Sequence, residues 1–244
     1  LQNGFAPSAR ARNVMDQLNN QSRKNDKPVI VIPTYNGARR KPNFTPLLAG
    51  LLSQQGYPVL CHGLDVNATG RVSTQEVLDH IEWPMASPPH FCPIGELFPV
   101  MPSLLAMQQK LGVRNFTHTL VKMLVPAGLE NAFLVTAYTH PVFLTLQAEV
   151  LGQFGHTALI IRGHEGEAVA APYRTPQMDG VKAGRHWLVS PAEASFSEQP
   201  DPRPDISAQA TAELTLKWLE NPELRPHGFA RQLDAIEAVI QYAV

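Results

Sequence analysis

Three consecutive cations and two polar residues follow the first apolar run of the chain. Val29-Ile30-Val31-Ile32 is rich in β-branched residues and predicts a buried strand. The segment after it holds Arg39, Arg40, Lys41, Asn43 and Thr45. Loops after parallel strands meet helix N-termini, whose unpaired N–H groups favour phosphate. The segment therefore predicts a phosphate-binding loop, with a solvated turn that merely caps the next helix through Asn43 as the alternative.

A histidine ends the second predicted strand, residues 57–61. His62 could donate a hydrogen bond to a substrate or simply bond the nearby backbone. Cys61, His62, His90 and Cys92 could be combined into a zinc set, but their spacing matches none of the usual structural zinc patterns. We therefore expect no metal from these residues.

A third candidate has cations and a histidine at every fourth position. Arg114, His118 and Lys122 would share one face if the segment were helical. Such a face could bind phosphates, and it could equally be a solvated stripe.

Two acidic residues follow the predicted strand at residues 157–161. Glu165 and Glu167 could hold magnesium, which prefers carboxylate oxygens and substrate phosphates. A glycine-broken surface turn is the alternative, and the adjacent Arg162 is a poor neighbour for a metal.

The remaining pattern places these segments in an α/β fold. Further strands are predicted at residues 132–137 and 186–189, and the strands are apolar without alternation, which is typical of a sheet covered on both faces. Helices are predicted after Asn43, from the capping-box sequence Ser73-Thr74-Gln75-Glu76, and at 141–154 with Val142, Leu146 and Val150 on one face. This alternation predicts a mainly parallel central sheet flanked by helices. Helices at about 207–219 and 229–242 should pack on the sheet domain, after a proline-rich connector containing Pro200, Pro202 and Pro204.

Composition excludes several classes of protein. The 244 residues are 44% hydrophobic and 17% charged, as in an ordinary globular protein, and the net charge of −1 does not by itself indicate a polyanion partner. No apolar run is long enough to span a bilayer, no secretory signal opens the chain, and two cysteines are too few for a disulfide framework. These features predict a cytoplasmic protein without a membrane association.

Taken in order, the four segments resemble the landmarks of the anthranilate phosphoribosyltransferase and nucleoside phosphorylase-II superfamily (glycosyltransferase family 3). The family's GTGGD loop corresponds to Thr34-Tyr35-Asn36-Gly37, and Asn43 and Thr45 stand at its helix-opening N-[IS]-S-T. Its KHGN corresponds to Cys61-His62-Gly63-Leu64, and its G-x-R-[TS]-x-F-N-x-L-G-P motif to the segment from Gly112 to Lys122. The resemblance implies a phosphoribosyltransferase-like α/β domain at 28–244. It also implies that 1–27 is a linker or a remnant of the family's small helical domain, most of which is absent from this chain.

The departures from these motifs fall on the groups that bind pyrophosphate and metal. Ala168 and Val169 replace the paired acids of the family's metal motif, and the first loop loses glycines where backbone should approach a ligand closely. Arg39, Arg40 and Lys41 enter the same loop. The chain also resembles the YbiB-type paralogues of the family, in segments that replace the catalytic motifs: Tyr35-Asn36-Gly37-Ala38-Arg39-Arg40-Lys41, Arg114-Asn115, His118-Thr119-Leu120-Val121-Lys122 and Thr139-His140-Pro141.

The resemblance to that branch implies a non-catalytic homodimer that binds nucleic acid with little sequence preference and needs no cofactor. Arg39, Arg40, Lys41, Arg114 and Lys122 would contact phosphates, with Asn43, Thr45, His62 and His118 also in the site. The alternative is a magnesium-dependent phosphoribosyl- or pentosyltransferase with an altered acceptor. In that case His62, Asn43, Thr45 and Arg114 would hold the sugar phosphate and Glu165 or Glu167 would replace the lost metal ligands.

Overall fold

One seven-stranded sheet organises the chain. The computed structural model describes residues 6–35, 37–64, 70–113, 116–172, 175–193 and 205–243. The strands are β1 (Val29–Thr34), β2 (Val59–Gly63), β3 (His90–Pro93), β4 (Ala132–Tyr138), β5 (Thr157–Arg162), β6 (Met178–Lys182) and β7 (Arg185–Ser190). Their order in the sheet is β3-β2-β1-β4-β5-β6-β7. Strands β1 to β5 pair in parallel, whereas β6 and β7 are antiparallel, which confirms the predicted mainly parallel α/β sheet.

Helices connect and cover the strands. They are α1 (Ala9–Asn25), α2 (Thr45–Gln54), α3 (Thr74–Leu78), α4 (Ile94–Leu97), α5 (Met101–Leu111), α6 (Thr117–Leu120), α7 (Val142–Gln153), α8 (Ala208–Glu220) and α9 (His227–Gln241), with short 3-10 helices at Val121–Met123 and Pro222–Leu224. Within the described ranges, none of these helices has the length and apolar character that a membrane span requires. The predicted proline-rich connector at 200–204 lies outside the described residues.

The central strands are buried because their alternate side chains enter two separate cores. Ile30 and Ile32 of β1 pack on one face with α2 and α9, whereas Val31 packs on the other face with α7. Helix α1 contributes Met15 and Leu18 to a third cluster at the start of β1. A parallel sheet covered on both faces has this pattern of unbroken apolar strands.

Local signals define several element boundaries. The Ser73 side chain accepts from the backbone N–H of Glu76, and the Glu76 carboxylate accepts from the backbone N–H of Ser73, so the predicted capping box opens α3. Strands β3 and β6 escaped the sequence analysis. The first is a four-residue edge strand, and the second contains Asp179 and Gly180, which are uncommon in strands.

Helix α7 is present as predicted, and two residues of its predicted apolar face are exposed. Val142 and Leu146 are 71% and 45% exposed, while the buried residues are Gln147, Ala148 and Leu151. The helix is apolar over most of its circumference, so the spacing of its apolar residues did not indicate which side would be buried. The Gln147 side chain helps to fix the observed orientation, because its Nε2 donates to the Ala137 carbonyl over 3.3 Å.

Candidate functional site

The four candidate segments meet at the carboxyl edge of the parallel strands. The backbone N–H of Gly37, after β1, donates to Glu167, after β5, over 2.7 Å. The Lys122 ammonium donates to the Gly166 carbonyl over 2.8 Å, and His62 at the end of β2 bonds Tyr35. The four segments thus form one connected region at the edge where parallel α/β sheets bind ligands.

The loop after β1 is held by a short antiparallel bridge. Ala38 and Val72 exchange two backbone hydrogen bonds of 2.8 and 3.2 Å. Gly37 has φ +63°, and a Cβ there would lie 2.6 Å from the Val72 carbonyl oxygen. Glycine is therefore required at this position by the contact with Val72, and Arg71 lies beside it, a cation that sequence analysis did not single out.

Carboxylates of the protein itself occupy backbone N–H groups of this loop. Glu167 Oε1 accepts from Gly37, and Glu165 Oε2 accepts from the N–H groups of Arg39 and Arg40 over 3.3 and 3.2 Å. Successive N–H groups of this kind form the concave anion sites that proteins use for phosphates. Here the anions are side chains from a loop more than 120 residues away along the chain.

The two predicted helix-opening residues are buried. Asn43 is 2% exposed; its Nδ2 donates to Thr74 Oγ1 over 2.9 Å, and its Oδ1 accepts from the backbone N–H of Thr45. Thr45 is fully buried, and its hydroxyl has no hydrogen-bond partner among the described residues. Asn43 thus joins the start of α2 to α3 and does not project toward solvent.

His62 is fully buried and uses both ring nitrogens inside the protein. Its Nδ1 lies 2.8 Å from the Tyr35 hydroxyl, and its Nε2 lies 3.1 Å from the Leu124 carbonyl. Burial lowers the pKa of His62 to about 4, although the bond to Leu124 opposes this. A neutral ring therefore accepts from Tyr35 and donates to Leu124, which is the backbone-bonding alternative.

His118 and Lys122 of the third segment do not lie on one continuous α-helix. Helix α6 is only four residues long and continues as a 3-10 turn, Val121–Met123. Lys122 is 9% exposed and bonds Gly166, whereas His118 is half-buried. Arg114 lies outside the described residues.

His118 and Lys122 line a groove of about 540 Å³ beside α6 and α7. Its other walls include Phe116, Tyr138 and Phe143. Leu146, on the exposed face of α7, also lines this groove.

Three described arginines are exposed near this edge: Arg39, Arg40 and Arg162. Arg39 and Arg40 are exposed, and neither side chain forms an ion pair with any described residue. Lys41 is half-buried and has a partner within the protein. Arg162, which sequence analysis considered only as a poor neighbour for a metal, is exposed at the end of β5 and adds a positive charge to the edge.

The acidic and sulfur-containing residues that the structure describes do not assemble into a metal site. No group of three or more potential His, Cys, Asp or Glu ligands occurs among the described residues. Cys61 and Cys92 are buried free thiols, and burial raises the pKa of Cys61 to about 12 and that of Cys92 to about 11. Glu165 and Glu167 face N–H donors, an environment that suits a carboxylate but adds no oxygen ligand for magnesium.

The chain is similar in sequence to a bacterial protein. The chain is 35% identical over 208 residues to the uncharacterized protein YbiB of Escherichia coli K12, and the match covers 80% of this chain and 63% of YbiB. No model of a known protein family matches the chain.

Solved structures share the fold. Anthranilate phosphoribosyltransferase from Saccharomyces cerevisiae in complex with PRPP and Mg matches with a TM-score of 0.61 at 12% identity, covering 88% of this chain and 65% of that one. The same enzyme in complex with 4-fluoroanthranilate gives a TM-score of 0.57 at 14% identity, with 88% of this chain and 64% of that chain covered. The chain thus spans slightly under two thirds of these relatives. It is a sequence relative of YbiB built on the anthranilate phosphoribosyltransferase fold, as its motifs indicated.

Proposed function

We propose that this protein is a non-catalytic polyanion-binding protein that contacts nucleic-acid phosphates through Arg39, Arg40 and Lys41, without strong sequence preference. The observation that carries the proposal is the exposure of Arg39 and Arg40 without an ion-pair partner among the described residues, at the ligand-binding edge of the sheet. Arginine suits phosphate because its planar guanidinium can donate two parallel hydrogen bonds. Contacts to phosphate carry no base information, so weak sequence preference follows.

Burial of three other predicted site residues supports a surface contact instead of an enclosed substrate. Asn43, His62 and Lys122 are at least nine-tenths buried and bond other parts of the protein. These three side chains therefore stabilise the edge and do not fit direct contact with a polyanion in this conformation. We assign the phosphate contacts to the exposed loop.

We further propose that the protein acts as a homodimer, as the resemblance to the YbiB-type branch implies. Two basic loops on one particle would engage the same strand and raise the overall affinity without any new contact. Light scattering of the purified protein measures the mass of the particle, and a monomer at all concentrations would contradict this part of the proposal.

The alternative is a magnesium-dependent phosphoribosyltransferase, and the similarity in fold to the yeast enzyme with PRPP and Mg favours it. In this chain the N–H groups that would meet a pyrophosphate bond Glu165 and Glu167, and the donor set does not fit magnesium. Calorimetry with phosphoribosyl pyrophosphate and magnesium distinguishes the two proposals. We expect no heat of binding, and micromolar affinity would restore the transferase.

Binding to labelled oligonucleotides tests the proposed function directly. Fluorescence anisotropy with two unrelated sequences, each single- and double-stranded, should give similar affinities for the two sequences. The affinity should fall steeply as salt rises from about 50 to about 200 mM, because bound cations release the counterions of the phosphates. Absence of binding, or binding that does not respond to salt, would contradict the proposal.

A further inference from the structure

Glu165 and Glu167 differ in how strongly their carboxylates are hydrogen-bonded to the loop after β1. Glu167 is 2% exposed and accepts from Gly37 over 2.7 Å, a short bond in a buried setting. Glu165 is only half-buried and accepts from Arg39 and Arg40 over 3.3 and 3.2 Å, at the long limit for N–H···O bonds. The Glu167 bond is therefore a fixed part of the fold, whereas solvent can reach the Glu165 bonds and compete for them.

Glu165 also has an unusual backbone conformation for a glutamate. Glu165 has φ +51° and Gly166 has φ +89°, while His164 and Glu167 exchange hydrogen bonds of 3.1 and 2.9 Å across them. Tight turns with two positive φ values favour Asn, Asp or Gly at the first of these positions. Glutamate is unfavourable there, so the local backbone conformation does not explain why position 165 holds a glutamate. The hydrogen bonds from the backbone N–H groups of Arg39 and Arg40 to its carboxylate do explain it.

We propose that Glu165 is an internal competitor for a phosphate site formed by the backbone N–H groups of Arg39 and Arg40. A phosphate oxygen can accept from the same two N–H groups that the Glu165 carboxylate now uses. When phosphate enters, the glutamate side chain turns into solvent, which it already contacts. The inference rests on the proposed function only in taking a nucleic-acid phosphate as the natural ligand.

Phosphate has an advantage that the internal carboxylate lacks. The Arg39 and Arg40 side chains form no ion pair with Glu165 or with another described residue, so both guanidinium groups can add charged hydrogen bonds to an incoming phosphate. The loop itself need not move far, since the Ala38–Val72 bridge and the Gly37–Glu167 bond hold it in place. Glu165 thus lowers the affinity for isolated anions, and a polyanion that offers several phosphates overcomes it.

Two variants remove the competitor in different ways. Glu165→Gln removes the charge and keeps the size, whereas Glu165→Gly removes the side chain and suits the positive φ. Glu223→Gln is the control, because it makes the same change in net charge at an exposed position in a different part of the fold. The probe is inorganic phosphate, titrated at constant ionic strength while NMR follows the backbone amide signals of Arg39 and Arg40.

We expect phosphate to shift the two amide signals, with an affinity roughly two- to fivefold higher in Glu165→Gln than in the wild type, the size expected for loss of a solvent-exposed interaction worth less than about 1 kcal/mol. Glu165→Gly should bind at least as tightly as Glu165→Gln, and Glu223→Gln should match the wild type. Equal phosphate affinity in the wild type and both Glu165 variants would overturn the inference.

The oligonucleotide titration separates this inference from the proposed function. If oligonucleotide binding depends on salt but neither Glu165 variant changes phosphate affinity, Glu165 is not a competitor and the proposed function stands. Tighter phosphate binding in the variants, with no oligonucleotide binding in any protein, would support the competitor and remove nucleic acid as the ligand.

Discussion

The backbone N–H of Gly37 donates to the carboxylate of Glu167 over 2.7 Å, so the loop after β1 is closed by a side chain from the loop after β5. This bond joins residues that are 130 positions apart in the sequence and that follow two strands, β1 and β5, separated in the sheet by β4. The Gly37 N–H is thereby paired inside the protein, at the carboxyl edge of the parallel strands.

Glu167→Ala should destabilise the protein by about 2 kcal/mol, because it leaves the buried N–H of Gly37 without its charged acceptor. Glu165→Ala should cost less than about 1 kcal/mol, since its bonds are long and reach solvent. Urea denaturation of the two variants measures the difference. Equal losses would show that the two carboxylates do not have the distinct roles assigned to them.

Gly63→Ala should prevent stable folding. A Cβ at Gly63 would lie 1.8 Å from the carbonyl oxygen of Thr34, between two paired strands that cannot separate locally. The expected loss exceeds about 4 kcal/mol, a large part of the stability of an ordinary domain.

The matched control is Gly152→Ala in α7, where a Cβ would meet its nearest neighbour, Gly184, at 3.4 Å. Alanine favours the helix, so this variant should be neutral or more stable by up to about 1 kcal/mol. Circular dichroism and thermal unfolding compare the two. A well-folded Gly63→Ala protein would contradict the described approach of β1 and β2.

The stability of the protein should depend on the protonation of His62. Burial lowers the pKa of His62 to about 4, below its ordinary value near 6.5 in an unfolded chain. The unfolded state therefore binds the proton first as the pH falls, and stability present above about pH 6.5 is lost down to about pH 4. This group alone contributes a loss of about 3 kcal/mol over that window.

Urea denaturation across this range should show a steeper loss for the wild type than for His62→Gln, since the carboxylates shared by both proteins contribute equally. The NMR signals of the His62 ring in the folded wild type provide a second measurement, and they should not titrate above about pH 5. A ring that titrates near pH 6.5 would contradict the buried, neutral histidine.

The sheet could be predicted from the sequence because it follows from short-range patterns. Unbroken apolar runs such as residues 29–32 identify buried strands, and parallel pairing brings their following loops to one edge. The capping box at Ser73 was recognisable for the same reason, since its bonds span three residues.

The roles of individual site residues were less predictable because they depend on distant partners. Nothing next to His62 in the sequence indicates Leu124, and nothing next to Lys122 indicates Gly166. Arg114, His118 and Lys122 would share one face only in a continuous helix, but α6 ends at Leu120 and the following 3-10 turn contains the buried Lys122. Exposure of Arg39 and Arg40, in contrast, agreed with the simple expectation for charged residues in a loop.

The salt dependence of nucleic-acid binding by an Arg39→Ala/Arg40→Ala double variant tests the central claim most directly. The control is Lys24→Ala/Arg185→Ala, which removes two exposed cations near the opposite, amino edge of the parallel strands. Each lost phosphate contact reduces the slope of log affinity against log salt by about 0.9 on duplex DNA. We predict a slope lower by about two units for Arg39→Ala/Arg40→Ala and an unchanged slope for the control. Equal slopes in the wild type and both double variants would contradict the assignment of the loop after β1 as the polyanion-binding surface.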